Sequence, residues 1–293
     1  MTVYRGRFAP SPSGPLHFGS LVAALGSWLD ARYHKGEWLL RIEDIDPPRE
    51  VAGAADDIQR TLETFGLFWD HQVNYQSSNL SYYQQLLQQL LDERLVYRCT
   101  CTRKQIQLTG GIYNGHCRTK QHSESSLHSL RLKVIKPKNS FDDYFQGNCQ
   151  TKRDVAGEDF ILQRKDGLFA YMFAVVADDS RQQISHVIRG ADLIDTTIQQ
   201  QYLFNILKLS PPCYGHLPIA VNHQWMKLSK QNHAMPLAIN NVSETLYQAL
   251  CFLKQSPAEA LKFENKEVLL DWAIENWDPS AFAGNLEFIH GDI

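Results

Sequence analysis

The first part of the chain alternates short apolar runs with segments whose apolar residues recur every three to four positions. Residues 3–9 and the run WLLRIED are predicted to be short buried strands, whereas residues 20–34 have helical spacing that Gly36 ends. A second helix is predicted over residues 54–65. The order strand, loop, helix, strand, loop, helix predicts an α/β fold with a doubly wound parallel sheet and right-handed crossovers.

The apolar pattern continues downstream, with helices and strands of different lengths. The segment SNLSYYQQLLQQLLDE predicts a helix, and Ser78 and Ser81 are candidates for its N-cap. The apolar run LFAYMFAVVADD predicts a buried strand. From Ser243 onward the spacing predicts two or three amphipathic helices.

One stretch interrupts this pattern. The segment CTCTRKQIQLTGGIYNGHCRTKQH is rich in Cys, Gly and His and has no clear periodicity, which indicates an inserted lobe. We therefore expect four parts: residues 1–95 as the first half of the sheet domain, 96–155 as the insertion, 156–235 as the second half, and 236–293 as a small helical unit.

Composition narrows the class of protein. The 293 residues carry a net charge of −3 and a pI of about 6.4, which argues against a nonspecific nucleic-acid coat but leaves room for a local basic face. No apolar run approaches the roughly 20 residues of a membrane helix, and the N-terminus lacks a signal-peptide core. Six cysteines are too few for a disulfide scaffold. We expect a cytoplasmic protein that does not bind membranes.

Three of these cysteines are candidates for a metal site. Cys99, Cys101 and Cys117 fall within 19 residues on a glycine-rich stretch, which suits a structural zinc ion. On chemical grounds His116 is the first choice for a fourth ligand, because imidazole is a common zinc ligand. Three reduced thiols without metal are the alternative.

Two further segments suit phosphate binding. His17 and Gly19 stand where the loop PSPSGPLHFG enters a helix, whose N-terminus offers free N–H groups. Lys227 and Lys230 of the segment MKLSKQ could offset the negative charge that builds on a triphosphate during reaction. Taken alone, each segment also fits an ordinary surface loop.

Together, P-S-P-S-G-x-x-H-x-G and K-L-S-K resemble the paired signature of class I aminoacyl-tRNA synthetases. The blocks RFAPSPSG, RIEDID, YRCTCT, FAYMFAVVADD, VIRGADL and KLSK resemble the glutamyl-tRNA synthetase branch over about the first four-fifths of the chain. The resemblance implies a Rossmann-like catalytic domain, an inserted acceptor-type zinc-binding lobe and a helical stem-like subdomain. It implies catalytic roles for His17, Gly19, Lys227 and Lys230, and ATP contacts from His17, Gly19, Ser20 and Lys230. Ser20 stands where the class signature has a second histidine.

The resemblance also implies a glutamate site. Arg7 and Arg189 would bind the side-chain carboxylate through paired, parallel hydrogen bonds. Glu43 would bind the ammonium group, and Tyr171 would close the pocket. The full set is Arg7, Phe8, Ala9, Pro10, Ser11, Glu43, Tyr171 and Arg189. Ordinary salt bridges, of Arg189 with Asp192 or Asp195 and of Glu43 with Arg41 or Arg49, are the alternatives. Val175 replaces an asparagine that the family usually carries near the amino acid.

Two metal ions follow from the same resemblance. The family pattern Cys-x-Cys, Tyr, x3, Cys implies one structural Zn²⁺ on Cys99, Cys101, Tyr113 and Cys117, with His116 as the alternative fourth ligand. Mg²⁺ would accompany ATP. Four basic residues are candidates for gripping tRNA, although a solvated surface explains each equally well: Arg118, Lys120, Lys133 and Lys136.

Only residues 232–293 follow the KLSKQ segment, so we expect no anticodon-binding domain. The chain resembles a family of freestanding glutamyl-tRNA synthetase-like catalytic domains, and HFGS and KLSKQNHA resemble that family's versions of the two motifs. This resemblance implies activation of L-glutamate with ATP without tRNA, then transfer to queuosine in the anticodon loop of tRNA(Asp), and we expect a monomer. Three rivals are a minimal glutamyl-tRNA synthetase charging the 3′ end of tRNA(Glu), a nucleotidyltransferase of another class, and a non-catalytic tRNA-binding paralogue.

Overall fold

The structure is a computed structural model, and it describes residues 3–108, 110–123, 125–151, 153–221 and 235–289. Its helices are α1 (Phe18–Tyr33), α2 (Ala54–Thr64), α3 (Leu80–Asp92), α4 (Arg103–Leu108), α5 (Arg153–Ala156), α6 (Tyr171–Arg181), α7 (Ile194–Ile206), α8 (Val242–Phe252) and α9 (Lys266–Glu275). Its strands are β1 (Arg5–Phe8), β2 (Glu37–Ile42), β3 (Asn74–Tyr75), β4 (Val96–Cys99), β5 (Ser129–Leu132), β6 (Ser140–Asp143), β7 (Gly147–Gln150), β8 (Ile161–Gln163), β9 (His186–Gly190), β10 (Cys213–Leu217), β11 (Ile219–Val221) and β12 (Glu287–Ile289).

A parallel sheet forms the centre of the fold, as the sequence predicts. Strand β2 pairs in parallel with β1 and β3, and β9 pairs in parallel with β10. A backbone hydrogen bond of 2.9 Å from Ser185 N to Arg5 O places β9 beside β1. The order is therefore β3-β2-β1-β9-β10, and the carboxyl ends of β1 and β9 are neighbours.

The two faces of this sheet differ in polarity because successive side chains of a strand point to opposite sides. Phe8, Leu40 and Ile42 pack in one hydrophobic cluster with residues of α1. On the other face, Arg7 and Arg41 reach Asp179 of α6. A layer of buried charge therefore separates the sheet from α6.

The C-terminal helices join the core of the first half. Leu250 of α8 and Leu269 of α9 belong to the same hydrophobic cluster as α1. Trp277 donates a buried hydrogen bond of 3.0 Å from Nε1 to Asp30 of α1. The four-part division of the chain, including a stem-like subdomain over residues 236–293, remains a prediction.

The inserted region is antiparallel. Strands β4, β5 and β8 form one antiparallel sheet, and β6 and β7 form a hairpin. A backbone hydrogen bond of 2.7 Å from Tyr144 N to Tyr214 O ties this hairpin to β10. Among the described residues, no helix has the length and apolar character needed to cross a membrane.

The strand predicted for LFAYMFAVVADD is wrong. Most of this segment forms α6, which begins at Tyr171 after the extended residue Ala170. Residues 173–179 are all buried, between α3, α7 and the charged face of the sheet. A helix buried on every side shows no amphipathic period, so its apolar run resembles that of a buried strand.

The predicted caps of α3 are also wrong. A 3₁₀ turn over Gln76–Asn79 precedes α3, whose N-cap is Asn79. The Asn79 side chain makes no capping bond and instead donates to Asp178 at 2.9 Å. The side chain at the N-cap position of α3 therefore makes a tertiary contact with a buried carboxylate and no capping bond.

Candidate active site and cysteine cluster

A cavity of about 380 Å³ opens at the carboxyl ends of β1 and β9, beside the N-terminus of α1. This is the position at which open α/β sheets bind ligands. The predicted glutamate and ATP residues that the structure describes all line it, namely Arg7, Phe8, Ala9, Pro10, Ser11, His17, Gly19, Ser20, Glu43, Tyr171 and Arg189. Segments far apart in sequence therefore share one crevice.

His17 caps the helix that begins at this cavity. Its backbone is extended, and its Nδ1 accepts a hydrogen bond of 3.3 Å from Ser20 N. An imidazole that accepts at Nδ1 carries its proton on Nε2 when neutral. His17 can therefore donate to an anion from Nε2 while it keeps the helix N-terminus ordered.

Lys227 and Lys230 lie outside the described residues. The structure describes the chain on either side of that segment. Ala220 lines the cavity, and Pro236 forms a β-bridge with His17. Both described ends of the segment are thus close to the cavity.

Arg7 is already engaged by the protein. Its Nε and Nη2 donate to the two carboxylate oxygens of Asp179, at 3.1 and 3.5 Å. Arg41 Nη1 also donates to Asp179, at 2.8 Å. Burial raises the pKa of Asp179, but the charges of Arg41 and Arg7 outweigh it and hold this pKa below its ordinary value. A ligand must therefore meet Arg7 from the opposite edge of its guanidinium group.

Glu43 is a buried acid with incomplete pairing. Its Oε1 lies 3.6 Å from Arg41 Nη2, which realises one of the alternative pairings but is too long for a good hydrogen bond. Glu43 Oε1 has no hydrogen-bond partner within the described part of the chain. Burial raises the pKa of Glu43 to about 7, against the opposing effects of Arg41 and Arg7.

Arg189 has two of its three nitrogens committed to the protein. Nε donates to His216 Nε2 at 3.1 Å, and Nη2 donates to Thr197 Oγ1 at 2.8 Å and to Leu193 O at 3.2 Å. Nη1 is buried without a hydrogen-bond partner among the residues described. A buried donor without a partner is costly, which favours a ligand acceptor at this atom.

Tyr171 and Val175 both belong to α6, but they face different surroundings. Tyr171 begins the helix and lines the cavity. Val175 is 1% exposed and packs in the hydrophobic cluster with Phe173 and Leu203. The predicted effect of Val175 on glutamate binding stays untested.

The sequence analysis missed the acidic pair that organises this face of the sheet. Asp178 accepts hydrogen bonds from Gln76, Asn79 and Tyr83, and Asp179 binds the two arginines described above. The signal was present as two acidic residues at the end of an apolar run. Reading that run as a strand placed their side chains on opposite faces and hid their common role.

The three thiols predicted to bind metal lie together. The sulfur atoms of Cys99, Cys101 and Cys117 are all within 4.8 Å of one another. Burial would raise the pKa of Cys117, but hydrogen bonds from the Thr100 backbone and from nearby side chains, led by His122, lower it to about 6, whereas burial and the neighbouring thiols raise the pKa of Cys101 to about 11. The close grouping of the three sulfur atoms could hold a metal ion that favours thiolate ligands.

The candidates for a fourth ligand differ in position. Tyr113 is buried, and its hydroxyl accepts a hydrogen bond of 2.8 Å from Cys117 N. His116 is exposed, and its Nε2 contacts Lys120 Nζ. Tyr113 is thus the better placed of the two.

The candidate tRNA-binding residues have other contacts. Arg118 binds the buried carboxylate of Asp159, and Lys133 Nζ donates to Arg94 O at 2.7 Å. Lys120 contacts His116, and Lys136 is exposed. Arg118 therefore has a structural role whether or not it meets RNA.

Comparison with known proteins adds a family to this geometry. The family model described as tRNA synthetases class I (E and Q), catalytic domain, matches residues 3–257. The glutamyl-Q tRNA(Asp) synthetase of Cronobacter sakazakii is 49% identical over 97% of each chain, and that of Serratia proteamaculans is 50% identical over 94% of this chain and 90% of its own. A glutamate-tRNA synthetase structure from Elizabethkingia anophelis matches 98% of this chain and 68% of its own with a TM-score of 0.81, and its 23% identity bears on the fold alone. The chain belongs to the class I tRNA synthetases (E and Q) and, within them, to the glutamyl-Q tRNA(Asp) synthetases.

Proposed function

We propose that this protein activates L-glutamate with ATP in the absence of tRNA and then transfers the glutamate to queuosine at the wobble position of tRNA(Asp). The observation that carries the proposal is the shared cavity, in which Arg189, Glu43 and His17 meet beside the N-terminus of α1. The names of the relatives specify the acceptor.

Each end of glutamate has a partner of suitable charge in this cavity. The unpartnered Nη1 of Arg189 would donate to the side-chain carboxylate, and the edge of Arg7 that faces away from Asp179 would support it. Glu43 would take the ammonium group, and Tyr171 would cover the amino acid. The triphosphate would then lie against His17 Nε2 and the first N–H groups of α1.

The first reaction needs no nucleophile from the protein. An oxygen of the glutamate α-carboxylate attacks the α-phosphorus of ATP, the bond from that phosphorus to pyrophosphate breaks, and glutamyl-adenylate forms. Mg²⁺ bound to ATP would offset charge on the phosphates. His17, Gly19, Lys227 and Lys230 would contribute by positioning and electrostatic stabilisation.

In the second reaction a hydroxyl of the queuosine ring attacks the carbonyl carbon of the mixed anhydride, and AMP leaves. The anticodon loop would therefore approach the same opening of the cavity. Lys120 and Lys136, which are exposed, are candidates for contacts with its phosphates. A structural Zn²⁺ on Cys99, Cys101, Tyr113 and Cys117 would support the neighbouring lobe.

Two assays test the proposal. In ATP–pyrophosphate exchange without tRNA, we expect glutamate to support exchange, and failure with every amino acid would overturn the enzymatic assignment. With labelled glutamate, we expect transfer to tRNA(Asp) that contains queuosine and none to the unmodified tRNA. Nuclease digestion would locate the label, and a label at the 3′ end of tRNA(Glu) would instead support the minimal glutamyl-tRNA synthetase.

A further inference from the structure

A buried chain of three side chains links the inserted hairpin to the cavity. Asp143 of β6 contacts His216 of β10, with 2.5 Å between Oδ2 and Nδ1. His216 in turn accepts from Arg189 of β9, with 3.1 Å between its Nε2 and Arg189 Nε. The side chains of Asp143 and His216 are both fully buried. We propose that Asp143 and His216 are positioning residues that orient Arg189 for an acidic substrate.

The pairing of strands aligns the members of this chain. His216 and Arg189 are register partners in the parallel pair of β10 and β9, so their side chains lie on the same face. The hairpin that carries Asp143 is tied to β10 through Tyr144 and Tyr214. The three residues are distant in sequence, and the contact depends on the insertion docking against the parallel sheet.

The contacts fix the tautomer of His216. Arg189 Nε can only donate, so His216 Nε2 must accept, and the ring proton must be on Nδ1, facing Asp143. Burial lowers the pKa of His216 although Asp143 opposes it, so the ring is neutral near pH 7. An ionised Asp143 therefore stabilises the one neutral tautomer of His216 that can accept a hydrogen bond from Arg189 Nε.

The remaining bonds of Arg189 complete its orientation. Thr197 is fully buried and accepts from Nη2 at 2.8 Å. Together with His216, it fixes two nitrogens of the guanidinium plane and leaves Nη1 for a ligand. This inference rests on the proposed function, because it assigns to that Nη1 the side-chain carboxylate of glutamate.

The variant Asp143→Asn tests the chain with little change of shape. The remaining amide oxygen can still accept from the backbone N–H groups of Phe145, Gln146 and His216, as Oδ1 does at 3.0, 2.9 and 3.2 Å. The new NH₂ group, however, would donate to His216 Nδ1 and move the ring proton to Nε2. The N–H groups of His216 Nε2 and Arg189 Nε would then face each other, and we expect the Arg189 side chain to rotate away.

We expect Asp143→Asn to raise the KM for glutamate in ATP–pyrophosphate exchange at least tenfold, with the KM for ATP unchanged within about twofold. Asp142→Asn is the matched control, because Asp142 is the exposed neighbour on the same strand. Thr197→Val, nearly isosteric, should raise the KM for glutamate several-fold in a protein that keeps Asp143. Nitrogen-15 spectra of labelled histidine should show His216 protonated on Nδ1 in the wild type and on Nε2 in Asp143→Asn.

The outcomes separate the two proposals. If the wild type supports glutamate exchange and both Asp143→Asn and Thr197→Val leave its KM unchanged, the positioning role is wrong and the function stands. The role is also wrong if His216 is protonated on Nε2 in the wild type, which the spectra show even if Asp143→Asn fails to fold. If the wild type supports no exchange at all, the proposed function fails first.

Discussion

Single residues in the cavity carry opposite charges that the protein neutralises only in part. Asp179 accepts hydrogen bonds from Arg7 and from Arg41 Nη1. Arg41 Nε and Nη2, Glu43 Oε1 and Arg189 Nη1 are buried without a hydrogen-bond partner among the described residues, and of these only Glu43 and Arg189 belong to residues that line the cavity. Buried polar atoms of native proteins are nearly always paired, so such exceptions indicate strain or a missing ligand. An α-amino acid with a side-chain carboxylate would supply both missing charges, since its ammonium group suits Glu43 and its carboxylate suits Arg189.

Glu43 provides a prediction about stability and pH. Burial raises its pKa from 4.5 to about 7 in the folded protein. Between pH 4.5 and pH 7 the folded chain keeps a proton on Glu43 that the unfolded chain releases. The stabilisation that accompanies the raised pKa is therefore complete below pH 4.5 and is lost as the pH rises through 7. Glu43→Gln cannot ionise. When the pH rises from 5 to 8, the free energy of unfolding of the wild type should therefore fall relative to that of Glu43→Gln by on the order of 1 kcal/mol or more.

Urea denaturation of both proteins at the two pH values measures this difference. The same variant should bind glutamate more weakly than the wild type at pH 8, where Glu43 is ionised and the ammonium group would lose its charged partner. A stability difference that is equal at pH 5 and pH 8 would show that Glu43 ionises with an ordinary pKa.

At the scale of elements, the close approach of α1 to β10 places the helix N-terminus at the cavity. Gly26 lies on the buried side of α1, and a Cβ added there would stand 2.6 Å from Leu217 Cδ1 and 3.0 Å from Cδ2. Leu217 is fully buried and itself lines the cavity. The glycine therefore allows the helix and the strand to pack at this distance.

Gly26→Ala should destabilise the protein by about 1–2 kcal/mol, because overpacking outweighs the better helix propensity of alanine. The displaced Leu217 should also raise the KM for ATP or glutamate. The double variant Gly26→Ala/Leu217→Val, which makes room for the new methyl group, should recover part of the loss in a double-mutant cycle. Additive effects in thermal denaturation would exclude the proposed contact.

These elements show how much the sequence could predict. Local signals were sufficient for β1, α1 and β2, because proline and glycine mark the loops and the apolar spacing between them is regular. They failed for α6, whose burial on all sides removes the helical period. Residues far apart in sequence, such as Asp143 and His216, gave no local signal, because only the docking of the hairpin on β10 brings them together. The site residues were predicted from the resemblance of their motifs. Those that the structure describes line one cavity, but their roles, like those of Lys227 and Lys230, stay predictions.

For the whole molecule, the insertion and the main core depend on different interactions. The large cluster unites α1 with α8 and α9, whereas the cysteines pack in a small separate cluster with Tyr97 and Tyr113. Asp159, which follows the insertion in the chain, holds two of its residues without any metal. It accepts a hydrogen bond of 2.5 Å from Tyr97 Oη and one of 2.8 Å from Val134 N. Loss of a metal ion should therefore destabilise the region around the cysteine cluster and leave the main core intact.

Cys117→Ser tests this division. We expect the zinc content to fall from about one ion per chain to none, because one of three clustered thiolates is lost. Amide hydrogen exchange should increase over residues 99–122, where the metal would replace a hydrophobic core, while α1 and α8 keep their protection. Cys213→Ser is the control, since Cys213 is an exposed free cysteine outside the cluster. Unchanged zinc content would refute the metal site, and loss of protection throughout α1 and α8 would show that the insertion and the core fold as one cooperative unit.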